Sequence, residues 1–214
     1  MTSLNIRRIE DVNDELLDKA AELFYILMKD DLAGASLTGG DSSLIQPLAR
    51  SLIRACALEG EFYVATGTES GELVGYAAWM PTGHELLESE AQRELGYDDF
   101  AGRLSEAGNT FFKDTYLKRF PGFVNQCLGP TGRRDAWWLH QLMVRTEYQR
   151  QGVARSLINV VKTKAAKNHQ RLALSVTKDS NIPVYTNQGF IIRGRSELKS
   201  PWGDYPLIIL SYDT

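Results

Sequence analysis

An α/β (α+β) fold, with strands and helices interleaved along 214 residues, is what this sequence predicts. Three observations carry it. Short apolar runs of strand composition alternate with longer segments whose apolar residues recur at helical spacing. Two of the runs, 61–66 and 73–80, flank a tight Glu69-Ser70-Gly71-Glu72 turn and read as a hairpin. Two others, 136–144 and 171–176, are separated by an amphipathic helix, the crossover that lets strands lie parallel.

Taken in order, residues 4–9 alternate in the manner of a first strand. Asp14 then reads as the N-cap of a helix to about 29, with Leu16, Leu17, Ala20, Leu23, Phe24 and Leu27 on one face. Asp30 to Gly34 and Thr38-Gly39-Gly40 read as a flexible stop, and Asp41-Ser42-Ser43 restarts a helix to about 58. Its apolar face is Leu44, Leu48, Leu52, Ile53 and Cys56. After the hairpin, Pro81 ends the strand. The segment at about 82–135 then suggests a Glu-rich helix over 84–95 and an aromatic-rich helix over 97–120. Pro121, Gly122, Gly129, Pro130 and Gly132 break up the chain between that helix and residue 135. About 50 residues rarely sustain a core alone, so this segment is expected to be a helical insertion in one domain spanning 1–214. Residues 152–167 form the crossover helix, and 180–188 a short helix stopped by Gly189. The runs 190–196 and 206–212 close the sheet as an antiparallel pair.

Composition narrows the function. A hydrophobic content of 43% with 24% charged residues is that of an ordinary globular protein. The formal charge of -3 leaves no basic footprint for nucleic acid. No apolar run approaches the roughly 18 residues that span a bilayer. Residues 1–5 carry no basic segment leading into an apolar one, so no secretory signal is expected. Cys56 and Cys127 are too few and too far apart for a disulfide framework. A reducing, cytoplasmic setting is expected. His84, His140 and His169 lack metal-ligand spacing, so no metal is expected.

The most informative stretch is 142–157, Leu-Met-Val-Arg-Thr-Glu-Tyr-Gln-Arg-Gln-Gly-Val-Ala-Arg-Ser-Leu. A strand passes through a polar turn into a helix that opens on Gly152 and Ala154. That places unpaired amides and the positive end of a helix dipole at one spot, suited to a pyrophosphate. Arg150 and Arg155 add charge at the rim. Neither a P-loop nor a G-x-G-x-x-G fingerprint is present. Gln149 to Ala154 resembles the Q/R-x-x-G-x-G/A signature of the GNAT superfamily of acetyl-CoA-dependent N-acetyltransferases. Asn181-Ile182-Pro183-Val184-Tyr185-Thr186-Asn187-Gln188-Gly189-Phe190 resembles that family's second signature, and the likeness covers roughly the last 80 residues.

The resemblance implies a mixed, mostly antiparallel sheet splayed at strands four and five and flanked by helices. The pantetheine arm of acetyl-CoA would lie in the gap against the backbone of Leu142, Met143 and Val144. The amide of Met143 or Leu142 would then polarise the thioester carbonyl. Gln149, Arg150, Gln151, Gly152, Val153 and Ala154 would surround the pyrophosphate, with Arg155 and Ser156 in the first helical turn. Tyr185 stands where the family's Tyr protonates the departing thiolate. Asn181 would cap its short helix and touch the pantetheine arm.

His140 occupies the place of a catalytic His in arylalkylamine N-acetyltransferases, within a similar Leu-His-x-Leu-x-Val run. Trp138 stands where that family has its other His. An imidazole at this point suits proton removal from an ammonium, and a structural His suits it equally. Asp30, Asp31 and Asp41 read as solvated turn and cap residues, although a cationic amine would find them attractive. Trp79, Phe111, Phe112 and Tyr116 are candidates to line an acceptor pocket or to fill the core.

The expected activity is transfer of acetyl from acetyl-CoA to the primary amine of a small molecule by direct attack. The expected partner is that amine, with no nucleic acid and no membrane, and the expected state is a monomer or homodimer. Two other readings stay open. A protein or peptide N-acetyltransferase would need an open groove, and a non-catalytic acyl-CoA-binding sensor would be indifferent to losing Tyr185 and His140.

Overall fold

Strand-forming residues buried on both faces fix the centre of the sheet. In the computed structural model, which describes residues 4–214, the strand Leu73–Met80 (β3) is buried at all eight positions, so it can only be central. It pairs with Glu61–Gly67 (β2), which in turn holds Leu4–Ile9 (β1), all antiparallel. On its other side lies Ala136–Val144 (β4), also antiparallel. Arg171–Val176 (β5) runs parallel to β4, and Tyr205–Tyr212 (β7) separates it from the edge strand Ile191–Leu198 (β6). The sheet order is β1-β2-β3-β4-β5-β7-β6. Residues 1–3, part of the segment in which no secretory signal is expected, lie outside the described residues. Among the described residues no helix is long and apolar enough to cross a membrane.

Helices cover both faces. Val153–Ala166 (α8), the crossover between β4 and β5, buries Val153, Leu157, Ile158, Val161 and Ala165. These meet Tyr63, Val74, Ala77, Trp79, Leu139 and Leu174 from the sheet. The opposite face takes Asp14–Met28 (α1) and Ile45–Glu59 (α3), whose Leu17, Ala20, Leu23, Ile53 and Cys56 pack on Phe62, Val64, Tyr76, Ala78 and Met80. Trp79 is wholly enclosed on the α8 face, so it belongs to the core and lines no acceptor pocket. We expect Trp79→Ala to cost about 3–5 kcal/mol, because the surroundings of so large a side chain relax only in part. Urea unfolding with an unchanged m-value measures this; a loss below about 1 kcal/mol would contradict it.

Several local expectations need correction. The cap of α1 is Asn13, whose side chain accepts from the Leu16 amide at 2.9 Å; Asp14 is already helical. Residues 30–40 are no flexible stop, because Asp31 caps a short helix, Leu32–Leu37 (α2). Leu87 adopts φ +66 and Ser89 caps the next turn, so the helix expected over 84–95 shrinks to Glu90–Glu94 (α4). The helix expected over 97–120 is divided. Tyr97–Gly102 (α5) ends, and Ser105 caps Glu106–Phe111 (α6), which continues through a π-turn at Phe112–Tyr116 into Leu117–Leu128 (α7). Pro121 lies inside α7. Burial of Phe120 and Val124 against Trp138, Ala173, Leu207 and Ile209 outweighs the breaker residues there.

The feature that shapes the functional region is a fork between β4 and β5. Their pairing runs only from Ala136↔Arg171 to Leu139↔Leu174. At that point β4 also carries an extra residue relative to β3: Ala78 faces Gln141 and Trp79 faces Leu139, which leaves His140 unpaired. A bulge bends its strand, and here the bend coincides with the parting of β4 from β5.

Candidate active site

Beyond the fork, the backbone of β4 has a partner on one side only. The Arg145 amide donates to Val74 O at 3.0 Å. Strict alternation along an antiparallel pair then turns the polar groups of Met143 toward Tyr76, and those of Leu142 and Val144 into the gap. Of the two amides expected to face the gap, only that of Leu142 does so. The Val144 carbonyl accepts from Gln149 Nε2 at 3.1 Å.

A tightly held turn leads from β4 into α8. Arg145 Nε donates to Leu73 O at 2.7 Å, and its guanidinium lies 3.3 Å from Glu72 and 3.8 Å from Glu147. Gln151 Nε2 donates to Glu147 O at 2.6 Å. The carboxamides of Gln149 and Gln151 thus brace the turn. Arg150 takes φ +59 and Gly152 φ +91, two left-handed residues on either side of Gln151 that turn the chain sharply into α8. The first ladder bond of α8 runs from Ser156 N to Gly152 O at 2.9 Å, so the amides of Val153, Ala154 and Arg155 precede the ladder. The Ser156 amide is spent inside it. Arg150 and Arg155 are exposed at the rim.

His140 and Tyr185 stand on opposite faces of the fork. The His140 ring centroid lies 6.5 Å from that of Trp138, which packs with α7 on the face away from α8. Its Nε2 is enclosed and has no hydrogen-bond partner. Burial, and then the nearby Arg133 guanidinium, hold its proton affinity well below that of a free imidazole, so the ring is neutral at pH 7. Arg133 itself lies 5.4 Å from the Trp138 ring centroid and 5.5 Å from that of Phe120. The rings of Phe112, Tyr116 and Phe120 stack in succession at 5.2 and 5.3 Å and end on Trp138. This aromatic ladder gives the His140 face an apolar wall.

Tyr185 belongs to the short helix Ile182–Thr186 (α9) and packs against the α8-side core, its ring edge-on to Phe190 at 6.0 Å. Burial alone pushes its phenol well above the ordinary value. Asn181 precedes α9 with helical backbone angles, is exposed, and makes no side-chain cap bond, contrary to the capping role expected for it. Cys56 is buried, and its thiol is pushed up to about 12 by burial, which makes it a poor nucleophile. Among the described residues no group of three His, Cys, Asp or Glu side chains is placed to hold a metal.

The sequence model of a family described as "Acetyltransferase (GNAT) domain" matches residues 92–200. The chain belongs to this family. Among curated protein sequences none matches it. Solved structures of similar fold include a Corynebacterium glutamicum protein described as histone acetyltransferase HPA2 and related acetyltransferase. That structure is 16% identical, with a TM-score of 0.64, and the match covers 100% of this chain and 98% of that one. A putative arylalkylamine N-acetyltransferase 7 from the yellow fever mosquito is 12% identical, with a TM-score of 0.65 and coverage of 98% and 87%. A polyamine N-acetyltransferase from Drosophila melanogaster, described as forming N-acetylagmatine, is 11% identical, with a TM-score of 0.59 and coverage of 99% and 100%. At such identities the likeness shows the fold.

Within this GNAT chain, sequence reasoning passed over two residues beside the fork. Gln141 is 4% exposed, accepts from the Tyr76 hydroxyl at 3.0 Å through Oε1, and leaves Nε2 without a partner. Arg133 reaches the same region from the segment before β4. No local pattern marks either one, since Tyr76 and Phe120 are brought to them by the fold.

Proposed function

We propose that this chain transfers the acetyl group of acetyl-CoA to the primary amine of a small molecule by direct attack. The observation that carries the reading is the fork itself. One face offers unpaired helix amides and a protonated phenol; the other offers a neutral imidazole beside an apolar wall. Acetyl-CoA supplies an acetyl group already activated as a thioester. The amides of Val153, Ala154 and Arg155, with Arg150 and Arg155 at the rim, suit its pyrophosphate. The Leu142 amide suits the acyl oxygen, where negative charge grows during the reaction. His140 takes the proton of the incoming ammonium, directly or through a water chain. After attack the nitrogen gives up a second proton to solvent as it becomes an amide, while Tyr185 protonates the departing sulfur on the opposite face and is reset from solvent. The small amines named for the mosquito and fruit-fly structures support an acceptor of that class. We read residues 1–214 as one domain, with 82–135 as an inserted cap over the acceptor face, working in a reducing cytoplasm.

Release of free CoA thiol from acetyl-CoA, measured against a panel of small amines and short peptides, tests this reading. Turnover with a small amine is the expected result; turnover confined to peptides, or none at all, would replace it. Gly152→Val provides a second test. A Cβ at Gly152 would meet nothing within 4 Å, so the substitution acts through its φ of +91, which a β-branched residue adopts only with strain at the entry to α8. We expect CoA affinity, measured by calorimetry, to fall at least about tenfold while the fold persists. Unchanged affinity would remove the pyrophosphate from this turn.

A further inference from the structure

Asp31 is not the solvated turn residue its sequence context suggests; it is 5% exposed. Its Oδ1 accepts from the amides of Ala33 at 2.8 Å and Gly34 at 3.3 Å, capping α2. Its Oδ2 lies 2.6 Å from Lys178 Nζ. Lys178 lies two residues beyond the end of β5, and 47% of its side chain is exposed. At the other side of the fork, Met28 and Phe24 at the end of α1 pack with Met143 of β4. The last turn of α1 and the Asp31 corner therefore straddle the gap from β4 to β5, on the face opposite α8.

The ion pair is unequal. A buried carboxylate oxygen needs a cation or donor, and leaving it unpaired is costly. An exposed ammonium on a four-carbon stem regains its hydration when it swings away, so its departure costs little. Asp31 is thus a cation receptor with a displaceable occupant. Its neighbours on other elements leave it free for this. Asp179, next to Lys178, is paired with Arg195 at 2.7 Å, and Tyr205 of β7, close to Asp31, has a phenol held neutral by burial. Resting on the acetyl-transfer function proposed for the fork, we propose that Asp31 Oδ2 is the binding site for the protonated amino group of the acceptor, and that Lys178 occupies it as an internal competitor until the amine arrives.

The test is calorimetric titration of 2-phenylethylamine and of putrescine into the apo and the CoA-loaded protein, with CoA binding measured separately. Lys178→Met should tighten at least one amine by about fivefold and leave CoA affinity unchanged. Asp31→Asn, which keeps an oxygen to cap α2, should weaken that amine at least about tenfold. Because Lys178→Met leaves Asp31 unpaired, the amine should also raise Tm more in this variant than in the natural protein. The neutral isostere 2-phenylethanol should respond to neither change. Amine affinities that ignore Lys178→Met would overturn the proposal, as would equal effects on the alcohol. Loss of CoA binding in the natural protein would instead refute acetyl transfer, and the apo titrations would still decide the role of Asp31.

Discussion

His140→Ala is expected to lower kcat by about 10²–10⁴, the usual worth of a positioned general base, with CoA affinity retained. The residue sits at the bulge where β4 leaves β5, and its enclosed Nε2 has no protein partner. A purely structural His in that setting would be expected to use both ring nitrogens. The pH dependence separates the two roles. Burial and Arg133 depress the folded pKa below its unfolded value, so the neutral ring is favoured and the group supports stability fully above about pH 6.5. That support is lost as pH falls below about 6.5, because the unfolded chain then binds a proton the folded chain refuses; the slope is at most about 1.4 kcal/mol per pH unit. Activity should track the folded value: the acid limb of kcat/KM should lie below about pH 6.5 and vanish in His140→Gln. If kcat falls less than about tenfold while the stability slope disappears, His140 is a structural residue.

Tyr185→Phe should cost about 10² or more in kcat and little in the KM for acetyl-CoA, since the ring remains to pack on Phe190. Burial raises the phenol above its ordinary value near 10, so it stays protonated across the working range and contributes no alkaline limb below that value. A thiolate leaving on the α8 face would draw on this proton. Acetyl donors with a more acidic thiol should need it less, so the penalty for Tyr185→Phe should shrink with such donors. An equal penalty across donors would assign Tyr185 to positioning, and unchanged rates for both variants alongside intact CoA binding would point to a non-catalytic sensor.

Much of the molecule was legible along the chain. The β2–β3 hairpin, the α8 crossover and the turn at 149–154 are local features, set by periodicity, turn residues and a left-handed glycine within a few positions of one another. The segment before β4 is poorly legible in the sequence. Its breaker residues are overridden at Pro121 because Phe120 and Val124 find a hydrophobic partner in distant strands. Length and spacing also do not reveal how strand alternation assigns Leu142 rather than Met143 to the gap; that depends on one bond between Arg145 and Val74.

By itself, then, the sequence determined the order of the strands and of the crossover helix, the family resemblance and the residues flanking the fork, because each depends on neighbours in the chain. The tertiary structure alone decided that His140 is the bulged residue, that it faces away from Tyr185, and that Asp31 is buried against Lys178. Those properties arise from residues far apart in sequence, whose burial and charge take effect only once the sheet and its covering helices bring them together.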